Sequence, residues 1–274
     1  MRRIVVASQK GGTAKSTTAT CLAVGLARCG MRTLVIDCDA QANATWTLAG
    51  GAAVGGPTLA DVLTRHAAAD EAIRPTSTPN LDLLPGEGGL SGVNVALVQE
   101  LGRDSRLRSA MSPLADRWDF VVLDTAPTVT TILANALVYA SEVIVPVDCG
   151  MYAMLGLVQL QQTIQEVREA YGNHALHLAG LLLTKVSRNN VCRDVEAGLR
   201  RRFGDLVFPA TIPLSSKVEE AHTRAQTVMQ FAPKSPGAVA YDQFVTEVLK
   251  HGVGSQGRGG AADGRGAGAD VAAA

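Results

Sequence analysis

Short runs of aliphatic and β-branched residues recur along the chain, separated by longer stretches with apolar positions three and four apart. The runs Arg3–Ser8, Thr33–Ile36, Leu81–Leu84, Phe120–Leu123, Glu142–Val147, Leu178–Thr184 and Val207–Ile212 predict strands. Several are apolar at successive positions rather than alternating, the pattern of strands covered on both faces. Lys15–Cys29, Ile132–Tyr139, Gly156–Ala170 and Val191–Phe203 predict helices between them. Such alternation predicts an α/β fold, a mostly parallel twisted sheet flanked by helices and built with right-handed crossovers. The Gly- and Ala-rich residues 49–58 predict a loop. Residues 252–274 are Gly, Ala, Arg and Asp with almost no large apolar side chain. Such a segment cannot bury enough surface to offset the entropy of ordering, so the expected division is one domain over 1–251 and a disordered tail over 252–274. No internal repeat is visible.

Composition sharpens this picture. Of 274 residues, 47% are hydrophobic but only 4% aromatic, so the core must be built from Val, Leu, Ile and Ala. Lys and Arg number 25, as do Asp and Glu. With no net charge, any electrostatic partner must be met by a local patch. The five cysteines, Cys21, Cys29, Cys38, Cys149 and Cys192, are scattered and contain no C-x-x-C pair. That pattern argues against a disulfide framework or zinc site and for reduced thiols in a cytoplasmic protein. The apolar run after Met-Arg-Arg is too short for a signal peptide, and no stretch approaches the ~20 apolar residues needed to span a bilayer.

Residues 3–20 read RIVVASQKGGTAKSTTAT: a strand, a glycine-containing turn, Lys-Ser, then a helix. In that context backbone N–H groups of the turn and of the helix start converge on one point and favour an anion. Lys15 would place a charge on the β- and γ-phosphates, the Ser16 hydroxyl would bind Mg²⁺, and Gly11 and Gly12 would let the backbone approach the phosphates. The strict pattern G-x-x-x-x-G-K-[ST] is not met, because Gln9 and Ala14 stand where it has glycines. On this segment alone the alternative is an ordinary strand–turn–helix carrying a surface lysine. Asp37 and Asp39 end one predicted strand and Asp124 another. In a parallel sheet those ends face the phosphate loop, although acids also commonly flank strands simply as solvated turn residues.

Lys10-Gly11-Gly12-Thr13-Ala14-Lys15-Ser16-Thr17 resembles the deviant Walker A motif of the ParA/MinD family, K-G-G-x-G-K-[ST]-T. Within that family it is most similar to the small ParA/Soj-type partition ATPases. The resemblance implies a nucleotide site spanning Lys10 to Thr17. Lys10 would be the family's signature lysine, reaching across an ATP-sandwich dimer to the other subunit's nucleotide. Ala14 replaces the usual glycine. Asp37-Cys-Asp39-Ala-Gln41 with Ala42-Asn43-Ala44-Thr45 is similar to the family's D-x-D-P-Q stretch, with Ala40 in place of proline. By that match Asp39 positions or activates the attacking water, and Asp37 supports the magnesium shell. Asp119 to Pro127 resembles the family's second acidic motif, in which Asp124 would hold Mg²⁺ through water. Thr184 and Pro213 would border the adenine. The resemblance extends through Glu142–Gln161, Pro209–Pro213 and Ala232–Tyr241, and covers roughly residues 3–250.

The resemblance implies ATP and Mg²⁺ as cofactors, hydrolysis to ADP and phosphate, and an ATP-dependent homodimer. It further implies non-specific DNA binding, a ParB-like or cargo-adaptor protein that stimulates hydrolysis, and a cytoplasmic, nucleoid-associated life without a membrane. Basic residues cluster at Arg188, Arg193, Arg200, Arg201 and Arg202. On a helix whose apolar stripe is Val191, Val195 and Leu199, Arg193 and Arg200 fall opposite that stripe. With Lys217 and Lys234, Arg188, Arg193, Arg200 and Arg201 form a candidate phosphate-binding patch, or else an ordinary solvated face. A MinD-like membrane switch would need a basic amphipathic C-terminal helix, where this chain turns Gly-rich. An iron–sulfur reductase would need a set of cluster cysteines. A dinucleotide oxidoreductase would need G-x-G-x-x-G after the first strand, which is absent.

Overall fold

Each apolar run becomes a strand in the computed structural model, which describes residues 1–128, 130–150 and 153–254. The strands are β1 (Arg2–Val6), β2 (Thr33–Cys38), β3 (Arg74–Pro75), β4 (Leu81–Leu84), β5 (Phe120–Thr125), β6 (Glu142–Asp148), β7 (His177–Val186) and β8 (Val207–Pro213). They form one sheet in the order β3-β4-β2-β5-β1-β6-β7-β8. Every pairing is parallel except that of the two-residue edge strand β3, which runs antiparallel to β4. β3 was not foreseen; two residues, one of them proline, carry no periodic signal.

Because strand side chains alternate in direction, each strand feeds two cores. Ile4, Val6, Val35, Val122, Ile144 and Leu182 face the helices Lys15–Arg28 and Pro236–Gly254. Val5, Leu34, Ile36, Val121, Val143 and Leu181 face the opposite layer, which holds the helices Leu59–Thr64, Leu90–Leu97, Thr131–Tyr139, Ala153–Tyr171 and Asn190–Phe203. Ile4, Val5 and Val6 have no exposed surface. Full burial contributes roughly 1.5–3 kcal/mol per such side chain relative to exposure, so the strand leading into the phosphate loop is a fixed base.

The four expected helices appear as Lys15–Arg28, Thr131–Tyr139, Ala153–Tyr171 and Asn190–Phe203. The short helices Asn43–Leu48, Leu59–Thr64, Ala69–Ala72, Leu90–Leu97, Arg106–Met111, Ser216–Thr223 and Val228–Phe231 were not foreseen. One or two turns give too few repeats for a 3.6-residue pattern to stand out. The final helix runs to Gly254, past the expected domain boundary at 251. The tail expected over 252–274 otherwise falls on residues 255–274, outside the described residues.

Candidate nucleotide site

β1 and β5 pair in register with Val6 opposite Asp124, and β2 and β5 with Asp37 opposite Asp124. The loop after β1 and the acids near the ends of β2 and β5 therefore meet at the carboxyl ends of the central strands. Above them lies a cleft of about 470 Å³. Gly11, Gly12, Ala14, Lys15, Ser16, Thr17, Asp39, Thr184 and Pro213, all expected at a nucleotide site, line it.

The loop turns through two left-handed residues, Gly12 at φ 74° and Ala14 at φ 66°. Gly12 adopts this conformation freely, whereas Ala14 carries a Cβ into a region that disfavours L-residues. Ala14 also caps the helix Lys15–Arg28 without a side-chain hydrogen bond, so the first N–H groups of that helix stay free for an anion. A Cβ added to Gly11 or Gly12 would meet nothing within 4 Å, so the space beside them can take a phosphate. Lys15 is 7% exposed, and its Nζ donates to the Lys10 carbonyl at 3.3 Å. Burial holds the Lys15 ammonium below its ordinary range, with Asp124 and Asp39 opposing that shift. A bound polyphosphate would supply the counter-charge.

The three acids differ in what they already hold. Asp37 is fully buried. Its Oδ2 accepts from the Thr45 amide and hydroxyl, both at 2.7 Å, and its Oδ1 accepts from the Asp39 amide at 3.1 Å. Thr45 Oγ1 in turn accepts from the Gly86 amide at 2.9 Å. Only glycine fits at 86, since a Cβ there would lie 2.5 Å from the Asp37 carbonyl oxygen. Burial pushes the Asp37 carboxyl up to about 6, with the Thr45 bonds opposing. Asp37 therefore braces the turn that presents Asp39. Asp39 lines the cleft, and its Oδ1 accepts from the Gln41 amide at 3.0 Å.

Asp124 is also fully buried, yet neither carboxylate oxygen has a hydrogen-bond partner among the described residues. Burial pushes its carboxyl far above the carboxylate range; Asp37 and Asp39 add to the rise, while the neighbouring Ser16 hydroxyl and the Lys15 charge oppose it. An orphaned buried carboxylate beside a serine hydroxyl fits a divalent cation and its water shell. Ser16 and Asp124 are the groups that would hold Mg²⁺, with Asp37 in support.

Lys10 and Thr13 turn away from the main cleft into a second, smaller one lined by Ser8, Gln9 and Asp148. The Lys10 ammonium pairs with Asp148 Oδ2 at 2.5 Å, with the lysine side chain about half exposed. Asp148 was not singled out from the sequence, although β6 ends in an acid and β2 and β5 each carry one at their penultimate position. Thr45 and Gly86 were likewise given no role. Thr184 is buried and donates from Oγ1 to the Thr13 carbonyl at 3.1 Å, tying β7 to the phosphate loop.

Most of the basic residues lie at the surface, and one correction is needed. Arg188, Arg193, Arg201, Lys217 and Lys234 are exposed. Arg200 is not a free cation opposite the apolar stripe: it pairs with Glu196 at 2.9 Å and donates to the Phe208 carbonyl at 3.4 Å. The inward stripe of that helix is Cys192 and Leu199, both buried, with Val195 and Phe203 half-buried against the core, whereas Val191 is exposed. Cysteine packs as a small hydrophobe. Taking Cys192 in place of Val191 as inward, and adding Phe203, moves the centre of the inward stripe by about 45° at 100° per residue, which leaves Arg200 on the flank of the helix, against β8, rather than opposite the stripe. Lys217 pairs with Glu220 at 2.6 Å.

A family model described as an AAA domain (AAA_31) matches residues 1–178. The chromosome partitioning protein ParA of Caulobacter vibrioides is 36% identical over 252 residues, covering 91% of this chain and 94% of that protein. The chromosome-partitioning ATPase Soj of Thermus thermophilus is 38% identical, covering 91% and 96%. Among solved structures, a protein described as cobyrinic acid a,c-diamide synthase from Mycobacterium smegmatis, with bound ADP and magnesium, superimposes with a TM-score of 0.80. It is 30% identical and covers 93% of this chain and 96% of that one. Through these relatives the chain belongs to the ParA/Soj family of partition ATPases and is a P-loop ATPase that uses ATP and Mg²⁺.

Proposed function

We propose that the chain is a nucleotide-switched homodimer that binds DNA without sequence preference when ATP is bound and lets go after hydrolysis, so as to position DNA or another large cargo. The observation that carries this reading is the division of labour between two lysines. Lys15 is buried in the chain's own cleft. Lys10 leaves that cleft and ends about half exposed on Asp148, available to a second copy of the chain.

In this reading Lys15 holds the β- and γ-phosphates, and the Gly11–Ala14 backbone surrounds them. Ser16 and Asp124 keep Mg²⁺ in place, which supplies positive charge against the phosphoryl group in transfer. Asp39, braced by Asp37, orients the attacking water, a role that typically contributes about 10²–10⁴-fold. Thr184 and Pro213 border the base. Exposed Arg188, Arg193, Arg201 and Lys234 are the DNA candidates; Arg200 serves the fold, and Lys217 must first leave Glu220. A ParB-like or cargo-adaptor protein would stimulate turnover, and the setting would be cytoplasmic and nucleoid-associated. Among the described residues no helix is long and apolar enough to cross a membrane.

A mobility-shift titration with random duplex DNA tests this reading. The expected result is retardation with Mg²⁺ and a slowly hydrolysed ATP analogue, and none with ADP. Equal retardation with both nucleotides, or none with either at low salt, would remove DNA from the proposal.

A further inference from the structure

Threonine hydroxyls from neighbouring strands hold the phosphate loop at both ends. At its start, Thr125 Oγ1, at the end of β5, donates to the Val6 carbonyl at 2.9 Å. At its far end, Thr184 Oγ1 donates to the Thr13 carbonyl at 3.1 Å. Thr184 has no exposed surface. It lies in β7 opposite Asp148 of β6, and its neighbour Leu183 lies opposite Thr211 of β8. Strands on both sides therefore fix the backbone that carries this hydroxyl. Among the described residues no other group donates to the Thr13 carbonyl, and the Ala14 amide donates to no protein group.

We propose that Thr184 is a positioning residue for the nucleotide's phosphates: its hydroxyl holds the Thr13–Ala14 peptide in the orientation that offers the Ala14 N–H to them, against the backbone strain of Ala14. The Thr13 carbonyl and the Ala14 N–H belong to one planar trans peptide and point in opposite directions. Fixing the carbonyl on Thr184 therefore fixes the N–H as well. Half a turn of that peptide would exchange the two and present a carbonyl oxygen to the phosphates. It would also take Ala14 from φ 66° to about −110°, out of the left-handed region that L-residues avoid. That relief is worth about five- to thirtyfold in the balance of the two orientations. A glycine would gain nothing from the same rotation. Thr184 also lines the cleft, but its hydroxyl proton is spent on the loop rather than on a base. The inference rests on the reading that Lys10–Thr17 hold the phosphates.

Calorimetric titration of the full chain with ATP and Mg²⁺, with tripolyphosphate and with adenosine tests it. The variants are Thr184→Val, Thr184→Ser, and Thr184→Val combined with Ala14→Gly. Thr184→Val should weaken ATP and tripolyphosphate alike by about five- to thirtyfold and leave adenosine unchanged. Thr184→Ser, which keeps the hydroxyl, should restore both affinities. In the Ala14→Gly background, Thr184→Val should lower thermal stability at least as much as it does alone, yet cost little phosphate affinity. A hydroxyl that only stabilised the fold would not give that pattern. Undiminished tripolyphosphate affinity in Thr184→Val, or equal losses in the two backgrounds, would overturn the proposal. A loss confined to ATP and adenosine would also overturn it and make Thr184 a base contact. Should Thr184→Val not fold, Thr184→Ala in the same two backgrounds gives the same comparison. Lys15→Ala is the reference. If it binds tripolyphosphate as the wild type does, the phosphate-site reading itself fails; loss in Lys15→Ala with none in Thr184→Val removes Thr184 alone.

Discussion

Ala14→Gly is expected to make the chain more stable, although glycine usually destabilises a helix-bearing segment. Ala14 sits at φ 66°, ψ 35° at the start of the helix Lys15–Arg28. A left-handed L-residue costs roughly 1–2 kcal/mol, which glycine avoids. Against this, glycine frees the unfolded chain by about 0.4–1 kcal/mol. The difference leaves about 0.5–1 kcal/mol of stabilisation, or about 1–4 °C in Tm for a domain of this size. Ala197→Gly, at an exposed position within the helix Asn190–Phe203, is the control. It should lower stability by about 0.8–1 kcal/mol. The assay is urea and thermal unfolding of the ligand-free variants side by side. ATP affinity of Ala14→Gly should stay near the wild-type value, because glycine takes the left-handed conformation of Ala14 freely. A fall in Tm for Ala14→Gly comparable to that of Ala197→Gly would refute the reasoning, since the strain would then not exist.

Lys15→Ala should abolish ATP binding measured by calorimetry, as the loop loses the charge placed on the β- and γ-phosphates. Thr45→Val should lower stability by about 2–3 kcal/mol in chemical unfolding, because it strips the hydroxyl's bond from the buried Asp37 carboxylate and the acceptor from the Gly86 amide, while the residue-45 amide keeps its own bond to Asp37. Without Mg²⁺, stability should fall as pH rises from about 4 toward 7. Asp37 and Asp124 have folded pKa values raised above the ordinary 3.8, so the unfolded chain releases their protons first and gains from each increment of pH. Asp124→Asn should flatten that decline and also remove the stabilisation that Mg²⁺ and ATP give together. Arg193→Glu with Arg201→Glu should weaken binding to all DNA sequences alike, reducing the slope of log affinity against log salt by about 1.8 in all. An unchanged slope would clear that helix of DNA contact.

What could be read from the sequence was what is local. β-Branched runs place the strands because each is written in consecutive residues, and Lys10 to Thr17 announce a phosphate loop for the same reason. The acids at 37, 39 and 124 follow from one topological fact, that parallel strands end on the same side of the sheet. What stayed hidden depends on partners distant in the chain. Lys10 meets Asp148 across 138 positions, and Gly86 reaches Thr45 across 41. Neither pairing leaves a periodic mark. The misplacement of Arg200 has a simpler cause. Counting Val191 and not Cys192 as inward, and leaving out Phe203, moved the centre of the stripe by about 45°, enough to place opposite it an arginine that sits on the flank against Glu196 and the Phe208 carbonyl.

Sedimentation velocity of the wild type and Lys10→Ala, each with Mg²⁺ and either ADP or a slowly hydrolysed ATP analogue, tests the central claim most directly. The account predicts that the wild type is a dimer with the analogue and a monomer with ADP, and that Lys10→Ala binds the analogue yet stays monomeric. A dimer in Lys10→Ala equal to that of the wild type would make Lys10 a residue of its own cleft alone and contradict the account.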